Sequence, residues 1–335
     1  MPAGEAGILN DALTLPDKIR SEPTGLQALA ESGEVLLESG RHDEPSGLHP
    51  GILTILDPAT GKQQTIRGQH DRHEGTQTTF SAFDADHVVW LEQSDQVLST
   101  SNWVMYAADR STGKIIELAR ATKIEELDSA PTVPGYTIPD LYEGKVYWAE
   151  ARPNPVKGKA PVVNIYSRVV DGSEPTTLEV RDAVSPSATG GWLYYAAIHL
   201  ERPNEPGYAI HRKSLRTGKT ELIYSSRTSS GFFLVAEGDT AAWVEDHKTV
   251  KVYKDARQIA QARAPHPGWL DAGRDAISFK ANANYLLDLR TRCLHTLGKT
   301  HPSVASVRLA GTTVTWVERL SPIAGQAKYW HATIR

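Results

Sequence analysis

Residues 143–150 read EGKVYWAE, and stretches of the same form recur along the 335-residue chain. In each copy a turn residue precedes a run of apolar, β-branched and aromatic residues, which is the composition of a β-strand. The copies are GEVLLES (33–39), DHVVWLE (86–92), EGKVYWAE (143–150), GGWLYYAA (190–197), GDTAAWVE (238–245), RDAISFKA (274–281) and GTTVTWVE (311–318). Their central residues are Leu37, Trp90, Trp148, Tyr195, Trp243, Phe279 and Trp316. The chain is therefore a tandem repeat of one strand-based unit.

A second pattern follows the first in most repeats. It is an alternating strand, a turn rich in Asp, Thr and Gly, and another short strand, as in VMYAADRSTGK (104–114) and IHRKSLRTGK (210–219). Glycines in four of these turns are expected to supply the positive φ that a tight hairpin needs, namely Gly61, Gly113, Gly172 and Gly218. Each repeat thus predicts four strands, a to d, which is the blade of an all-β propeller.

The repeats predict seven blades in a single domain spanning residues 1–335. Their approximate bounds are 24–68, 79–121, 132–181, 183–226, 229–264, 266–299 and 301–335. The last blade lacks a strand d, and the segment 12–18 (ALTLPDK) is predicted to supply it and close the fold. Closure would remove an unpaired sheet edge.

Composition argues against nucleic-acid and membrane partners and indicates the compartment of the protein. The net charge is −4 and no basic patch runs along the chain, so nucleic acid is not an expected partner. Apolar runs are strand-sized, so no membrane partner is expected either. The first twenty residues do not have the form of a signal peptide, and Cys293 is the single cysteine. We therefore expect a cytoplasmic protein.

The paired strands and the DxxTGK-type hairpins of residues 24–335 resemble the TolB-like and YncE-like bacterial propellers. The Gly-His and Trp-Asp pairs of WD40 blades are absent, although the expected fold is WD40-like. The resemblance implies a binding scaffold more than an enzyme.

Blade topology places the b→c and d→a connections at one end of each blade, which we call the b–c end. Long b→c connections at this end are 39–51, 93–102, 151–161 and 199–207. Long loops on a rigid scaffold commonly carry binding residues. We expect a funnel here that binds a small molecule, a peptide or a protein, with His42, His49, His199 and Tyr136 as ligand-binding candidates.

Histidines at the same end support an alternative, a metal-assisted lyase, lactonase or hydrolase. His266 and His301 each precede a proline before strand a, and His70 and His73 lie before strand a of blade two. Converging imidazoles bind divalent metals or exchange protons near neutral pH. These four are the catalytic and metal candidates, with Glu150 or Glu245 as base. The competing interpretation is that they are solvated loop histidines.

A Trp-x-Glu element recurs at Trp90/Glu92, Trp148/Glu150, Trp243/Glu245 and Trp316/Glu318. Residues two apart on a strand share a face. The aromatic position is predicted to pack in the core between blades. The glutamate is expected to pair with an arginine or a backbone N–H of the neighbouring blade, or to join a ring of carboxylates that binds a cation or a basic substrate group.

Overall fold

The computed structural model describes residues 13–14, 24–39, 42–44, 47–49, 51–68, 76–93, 102–122, 137–159, 161–198, 207–298, 306–318 and 328–334. Across these ranges the regular structure is entirely β, as predicted. No helix that would be long and apolar enough to cross a membrane occurs in them.

The strands form seven four-stranded antiparallel sheets, the blades of a seven-bladed β-propeller. In chain order the strands are β1 (Leu13–Thr14), β2 (Thr24–Leu29), β3 (Val35–Ser39), β4 (His42–Glu44), β5 (Gly47–His49), β6 (Ile52–Leu56), β7 (Gln63–Arg67), β8 (Gln77–Phe83), β9 (His87–Gln93), β10 (Trp103–Asp109), β11 (Ile115–Arg120), β12 (Asp140–Tyr142), β13 (Lys145–Arg152), β14 (Val162–Val169), β15 (Thr177–Val180), β16 (Ala183–Thr189), β17 (Trp192–Ile198), β18 (Tyr208–Ser214), β19 (Thr220–Ser226), β20 (Gly231–Glu237), β21 (Thr240–Glu245), β22 (Thr249–Lys254), β23 (Arg257–Arg263), β24 (Gly268–Ala272), β25 (Ala276–Lys280), β26 (Asn284–Asp288), β27 (Cys293–Thr296), β28 (Ser306–Ala310), β29 (Thr313–Glu318) and β30 (Lys328–Thr333).

Blades one to six each use four strands in simple succession, apart from one inserted hairpin. Blade one is β2-β3-β6-β7, and the hairpin β4-β5 lies within its b→c connection. Blades two to six are β8–β11, β12–β15, β16–β19, β20–β23 and β24–β27. This succession is the a-b-c-d order expected from the repeat.

The last blade is completed from the other terminus. β1 pairs antiparallel with β30, with Leu13 opposite His331 and Thr14 opposite Trp330. The sheet order β1-β30-β29-β28 makes β1 the missing strand d. The predicted closure is confirmed for Leu13 and Thr14, and the rest of segment 12–18 lies outside the described residues.

The c→d hairpins owe their geometry to glycine and aspartate. Gly61, Gly113, Gly172 and Gly218 have φ between 70° and 73°, as predicted. In the blade-two hairpin, Asp109 Oδ1 accepts hydrogen bonds from the backbone N–H groups of Ser111 at 2.8 Å and Thr112 at 2.9 Å. Those bonds and the Ser111 hydroxyl lower the pKa of Asp109 to about 2.

The chain divides into two compact units. The first contains residues 1–73, 236–254 and 258–335, and the second contains residues 74–235 and 255–257. In the first unit, the a strands β24, β28 and β2 of blades six, seven and one are neighbours. An apolar cluster joins blade six to blade seven through residues such as Leu286, Val307 and Trp316. In the second unit, β16 packs against β12, β13 and β14.

Aromatic pairs bridge strands b and c in six blades. The central aromatic of strand b contacts an aromatic on strand c in Trp90–Tyr106, Trp148–Tyr166, Tyr195–His211, Trp243–Tyr253, Phe279–Tyr285 and Trp316–Trp330. Trp90, Trp148, Trp243 and Phe279 are completely buried. The predicted core role of this position is confirmed.

Candidate functional site

The Trp-x-Glu element is an internal hydrogen bond between two buried side chains of one strand. The Nε1 atom of Trp90 donates to Glu92 at 3.0 Å, and Nε1 of Trp148 donates to Glu150 at 3.1 Å. The glutamate therefore accepts a hydrogen bond from its own strand. Glu150 also pairs with an arginine, but this is Arg152 of the same strand, whereas a partner on the neighbouring blade was expected. This contact satisfies a buried indole N–H that would otherwise cost about 1–3 kcal/mol.

The two glutamates proposed as bases are already engaged. Glu150 is 2% exposed, and its carboxylate also contacts the Arg152 guanidinium, with 3.0 Å between Nε and Oε1. Glu245 lies 2.8 Å from the Lys251 ammonium. Both contacts hold these carboxylates within their own blades. Their role as bases stays a prediction.

The predicted histidine cluster is only partly within the described residues. His266 is exposed, and its backbone N–H donates to the carbonyl of His247 at 3.1 Å, so these two histidines are neighbours at the b–c end. His42 and His49 are opposite each other across β4 and β5. His70, His73, His199, His301 and Tyr136 lie outside the described residues, and their predicted convergence stays a prediction. No group of three or more His, Cys, Asp or Glu side chains is placed to hold a metal in the described ranges.

Blade seven departs from the Trp-x-Glu pattern. Its glutamate, Glu318, accepts a hydrogen bond of 2.9 Å from Trp330 of strand c. Trp316 Nε1 is left buried with no hydrogen-bond partner among the described residues. A Cβ at Gly298 would lie only 3.0 Å from that nitrogen, so a glycine is needed there for the backbone to pass close to the indole.

Blade six departs from the repeat at the residue after the central aromatic. Five other blades carry a buried apolar residue there, namely Leu91, Ala149, Ala196, Val244 and Val317. Blade one carries the buried Glu38, whose carboxylate accepts hydrogen bonds from the Gln27 amide and the Gly51 backbone N–H. Blade six carries Lys280. Its side chain is half-buried, and it makes no hydrogen bond or ion pair within the described part of the chain. A lysine in a core position without a partner costs free energy, because its charge is partly removed from water.

Two more polar atoms face the same end of the blade six–blade seven interface without partners. Ser278 shares the sheet face of Lys280, and Asn284 lies opposite Lys280 on strand c. Both residues are completely buried. The Asn284 amide donates to the carbonyl of Val317 at 3.0 Å, which ties it to blade seven. Ser278 Oγ and Asn284 Oδ1 have no hydrogen-bond partner among the described residues.

A second cation approaches from blade seven. Arg308 donates from Nε to the carbonyl of Gln27 at 2.8 Å and from Nη1 to that of Val307 at 3.2 Å. Desolvation lowers the pKa of Lys280, and the positive charge of Arg308 lowers it further.

Asp271 is the carboxylate of this region. Its Oδ2 accepts the Leu309 backbone N–H at 3.2 Å and lies 3.9 Å from Arg308 Nη1. Desolvation raises the pKa of Asp271 to about 6, against the opposing effects of Arg308 and the Leu309 N–H. This carboxyl group therefore compensates the two cations incompletely near neutral pH.

A β-bulge places Asp271 in this region. The pairing of β24 with β25 shifts register between Gly268 and Asp271, which brings Asp271 opposite Ser278. Trp269, within the bulge, has a φ of 53°, a left-handed conformation that is rare for a bulky side chain. Register shifts between strands a and b also occur in blades one, two and four, so the bulge belongs to the repeat, and in blade six it orients Asp271.

We call Ser278, Lys280, Asn284, Arg308 and Trp316, with Asp271, the blade-six cleft. None of its residues was among the candidates chosen from the sequence. The signal that would have found the cleft is the lysine at a repeat position that is apolar in five of the other six blades. The predicted b–c end is nevertheless where Lys280 and Asn284 lie, at the end of β25 and the start of β26.

Comparisons with known proteins agree with the fold. No family model and no curated protein sequence matches the chain. An oligogalacturonate lyase from Vibrio parahaemolyticus is similar in structure, with a TM-score of 0.57 and 10% identity over 97% of this chain and 92% of that one. An oligogalacturonate lyase in complex with manganese has a TM-score of 0.56 and 11% identity, over 92% of this chain and 88% of that one.

A peptidase is also similar. A puromycin-hydrolyzing peptidase of Mycobacterium tuberculosis has a TM-score of 0.57 and 12% identity, over 92% of this chain and 53% of that one. The chain thus spans about half the length of this peptidase. At such identities the likeness concerns the propeller fold alone, and membership of the TolB-like or YncE-like groups stays a prediction.

Proposed function

We propose that this protein is a binding propeller whose ligand is a small polar molecule held in the blade-six cleft. The observation that carries the proposal is Lys280, a lysine at a repeat position that is apolar and buried in five other blades, with no partner among the described residues. A bound ligand would supply the interactions that the fold leaves unmade.

Comparison with other buried charges in the chain supports a ligand. Glu179 is paired with Lys213 at 2.8 Å, and Lys251 with Glu245 at 2.8 Å. In these two pairs each charge is neutralised by a neighbouring side chain. Lys280 has no such neighbour among the described residues, and Ser278 Oγ and Asn284 Oδ1 of the same blade also lack partners there. An arrangement with several unmade contacts in one place is typical of a binding site.

The test is a thermal-shift screen with sugars, sugar acids, amino acids, short peptides and nucleotides. A ligand at a hundred times its Kd stabilises the native state by about 2.7 kcal/mol, which is easily measured. We expect at least one compound to raise the Tm of the wild-type protein and not that of Lys280→Met. Lys248→Met is the matched control, because Lys248 is exposed in the b→c turn of blade five. Compounds that stabilise both variants equally, or none that stabilises the wild type, would contradict this placement of the site.

A second candidate is an enzyme that acts on an acidic oligosaccharide. The observation favouring it is that both oligogalacturonate lyases match over most of their own length, and one contains manganese. In this case His70, His73, His266 and His301 would hold the metal or move the proton. Elemental analysis of the purified protein and an ultraviolet assay for unsaturated products from oligogalacturonate test this candidate. Stoichiometric manganese together with product formation would favour the enzyme. Loss of both in His266→Ala would locate the reaction at the histidines of the b–c end.

A further inference from the structure

We propose that the blade-six cleft recognises a carboxylate-bearing small molecule, with the carboxylate placed between the Lys280 ammonium and the Arg308 guanidinium. This inference rests on the proposed function and names the chemical class of its ligand. It assigns Ser278 and Trp316 as hydrogen-bond donors to the ligand and Asn284 Oδ1 as an acceptor for one of its hydroxyl or amide groups.

The balance of donors and acceptors favours an acidic ligand. The groups without partners include an ammonium, a hydroxyl and an indole N–H, all of which donate, against one amide oxygen that only accepts. Arg308 adds Nη2, which makes no hydrogen bond within the described residues, since its bonds to protein carbonyls use Nε and Nη1. Such a set of donors matches the acceptor oxygens of an anion.

The charges favour a monoanion over a dianion. Lys280 and Arg308 carry two positive charges, and Asp271, 3.9 Å from Arg308 Nη1, carries at most one negative charge. A carboxylate carries one negative charge near pH 7, whereas a phosphate monoester carries about 1.5 to 2. A single carboxylate therefore neutralises the remaining charge, and it does so without leaving an excess of buried negative charge.

Mutual repulsion of the two cations points the same way. The lowered pKa of Lys280 arises from desolvation and from Arg308, with no carboxylate acting against them. An anion between the two groups would reverse both effects, because it would replace lost hydration and screen like charges. Arg308 Nη2 can donate a charge-assisted hydrogen bond to one carboxylate oxygen, while its other nitrogens keep their bonds to the protein.

The experiment compares acids with their neutral counterparts by isothermal titration calorimetry. The probes are lactate with lactamide, glucuronate with glucose, and inorganic phosphate, each titrated into the wild type, Lys280→Met and Lys280→Arg. We expect one of the carboxylates to bind, its neutral counterpart to bind at least tenfold more weakly, and Lys280→Met to weaken carboxylate binding by about tenfold or more. Lys280→Arg, which keeps the charge, should retain part of the affinity. Circular dichroism and the unfolding midpoint of each variant establish that it is folded.

The outcomes separate this inference from the proposed function. If neutral polyols bind as well as the acids and need Ser278 or Asn284, the ligand class is wrong although the cleft is a binding site. If phosphate binds more tightly than both carboxylates and depends on Lys280, the ligand is a different anion. If neither probe pair, nor phosphate, nor any compound of the broader screen binds, and Lys280→Met is simply more stable than the wild type, the proposed function itself fails.

Discussion

The indole Nε1 of Trp148 donates a hydrogen bond of 3.1 Å to the carboxylate of Glu150, two residues farther along the same strand. Both side chains are buried. The Glu150 carboxylate also pairs with the Arg152 guanidinium and accepts a hydrogen bond from the Thr122 hydroxyl. The same bond occurs between Trp90 and Glu92. It is a repeated structural unit, and its absence at Trp316 is what marks blade seven.

Glu150→Ala should therefore destabilise the protein more than Glu150→Gln. Alanine leaves the Trp148 N–H buried without an acceptor, which costs about 1–3 kcal/mol, whereas the glutamine amide oxygen accepts that N–H. The measurement is the free energy of unfolding in urea. Trp148→Ala is the reference for complete loss of the packing, with an expected cost of about 3–5 kcal/mol. Equal stability of the alanine and glutamine variants would mean that the indole bond contributes nothing.

Removal of residues 1–20 should lower the Tm by several degrees. The truncation deletes β1, which exposes the edge of β30 and removes the backbone hydrogen bonds near His331 and Trp330. Differential scanning calorimetry of the truncated and full chains measures the effect. Leu13→Pro within the full chain is a more local probe, since proline removes an N–H from the ladder. An unchanged Tm in both would show that the pairing of β1 is unimportant for stability.

Asp271→Asn should change how stability depends on pH. The pKa of Asp271 is about 6 in the folded protein, against an ordinary value of 3.8. Between these two pH values the folded state keeps a proton on Asp271 that the unfolded chain has released. The contribution of protonated Asp271 to the free energy of unfolding is therefore complete below pH 3.8 and is lost as the pH rises to about 6. Ionised Asp271 thus costs about 3 kcal/mol at higher pH, at about 1.4 kcal/mol per pKa unit. The asparagine variant should not lose stability in this way, because its side chain does not ionise.

Urea unfolding at pH 4 and pH 8 tests this expectation. Relative to the wild type, the variant should gain stability between the two values. The charged groups near Asp271 are Arg308 of blade seven, 3.9 Å away, and Lys280 on its own sheet face. Asp109→Asn is a control of opposite sign, since its lowered pKa makes ionised Asp109 stabilising as the pH rises. Parallel pH profiles for the Asp271 variant and the wild type would refute the assignment.

His266→Ala should leave stability unchanged within about 0.5 kcal/mol, because the side chain is exposed. It should nevertheless reduce the Tm increase produced by a ligand of the cleft. The reason is position, since His266 precedes β24, whose first residue, Gly268, lies opposite Lys280. His295→Ala, in strand d of the same blade, is the matched control. An identical ligand-induced Tm increase in both variants would show that His266 is not part of the site.

Much of the architecture follows from local patterns. Gly113 and Asp109 act within a single hairpin, and Trp148 with Glu150 acts within a single strand, so neighbours in the chain decide these contacts. The candidate site was less predictable. Histidines stood out because their chemistry is distinctive, whereas Lys280 is an ordinary residue that becomes unusual only at a repeat position occupied elsewhere by buried Leu91 or Val244.

The repeat alone specifies seven four-stranded blades and a last blade completed by the N-terminal segment, because strand periodicity and turn chemistry are encoded within a few residues. Tertiary packing alone decides which polar groups remain without partners. Asn284 finds the carbonyl of Val317, Arg308 finds that of Gln27, and Asp271 finds the N–H of Leu309, all on neighbouring blades. Hydrogen bonding and desolvation depend on such neighbours in space. The surroundings of the Lys280 ammonium are therefore determined only when blades six and seven pack together.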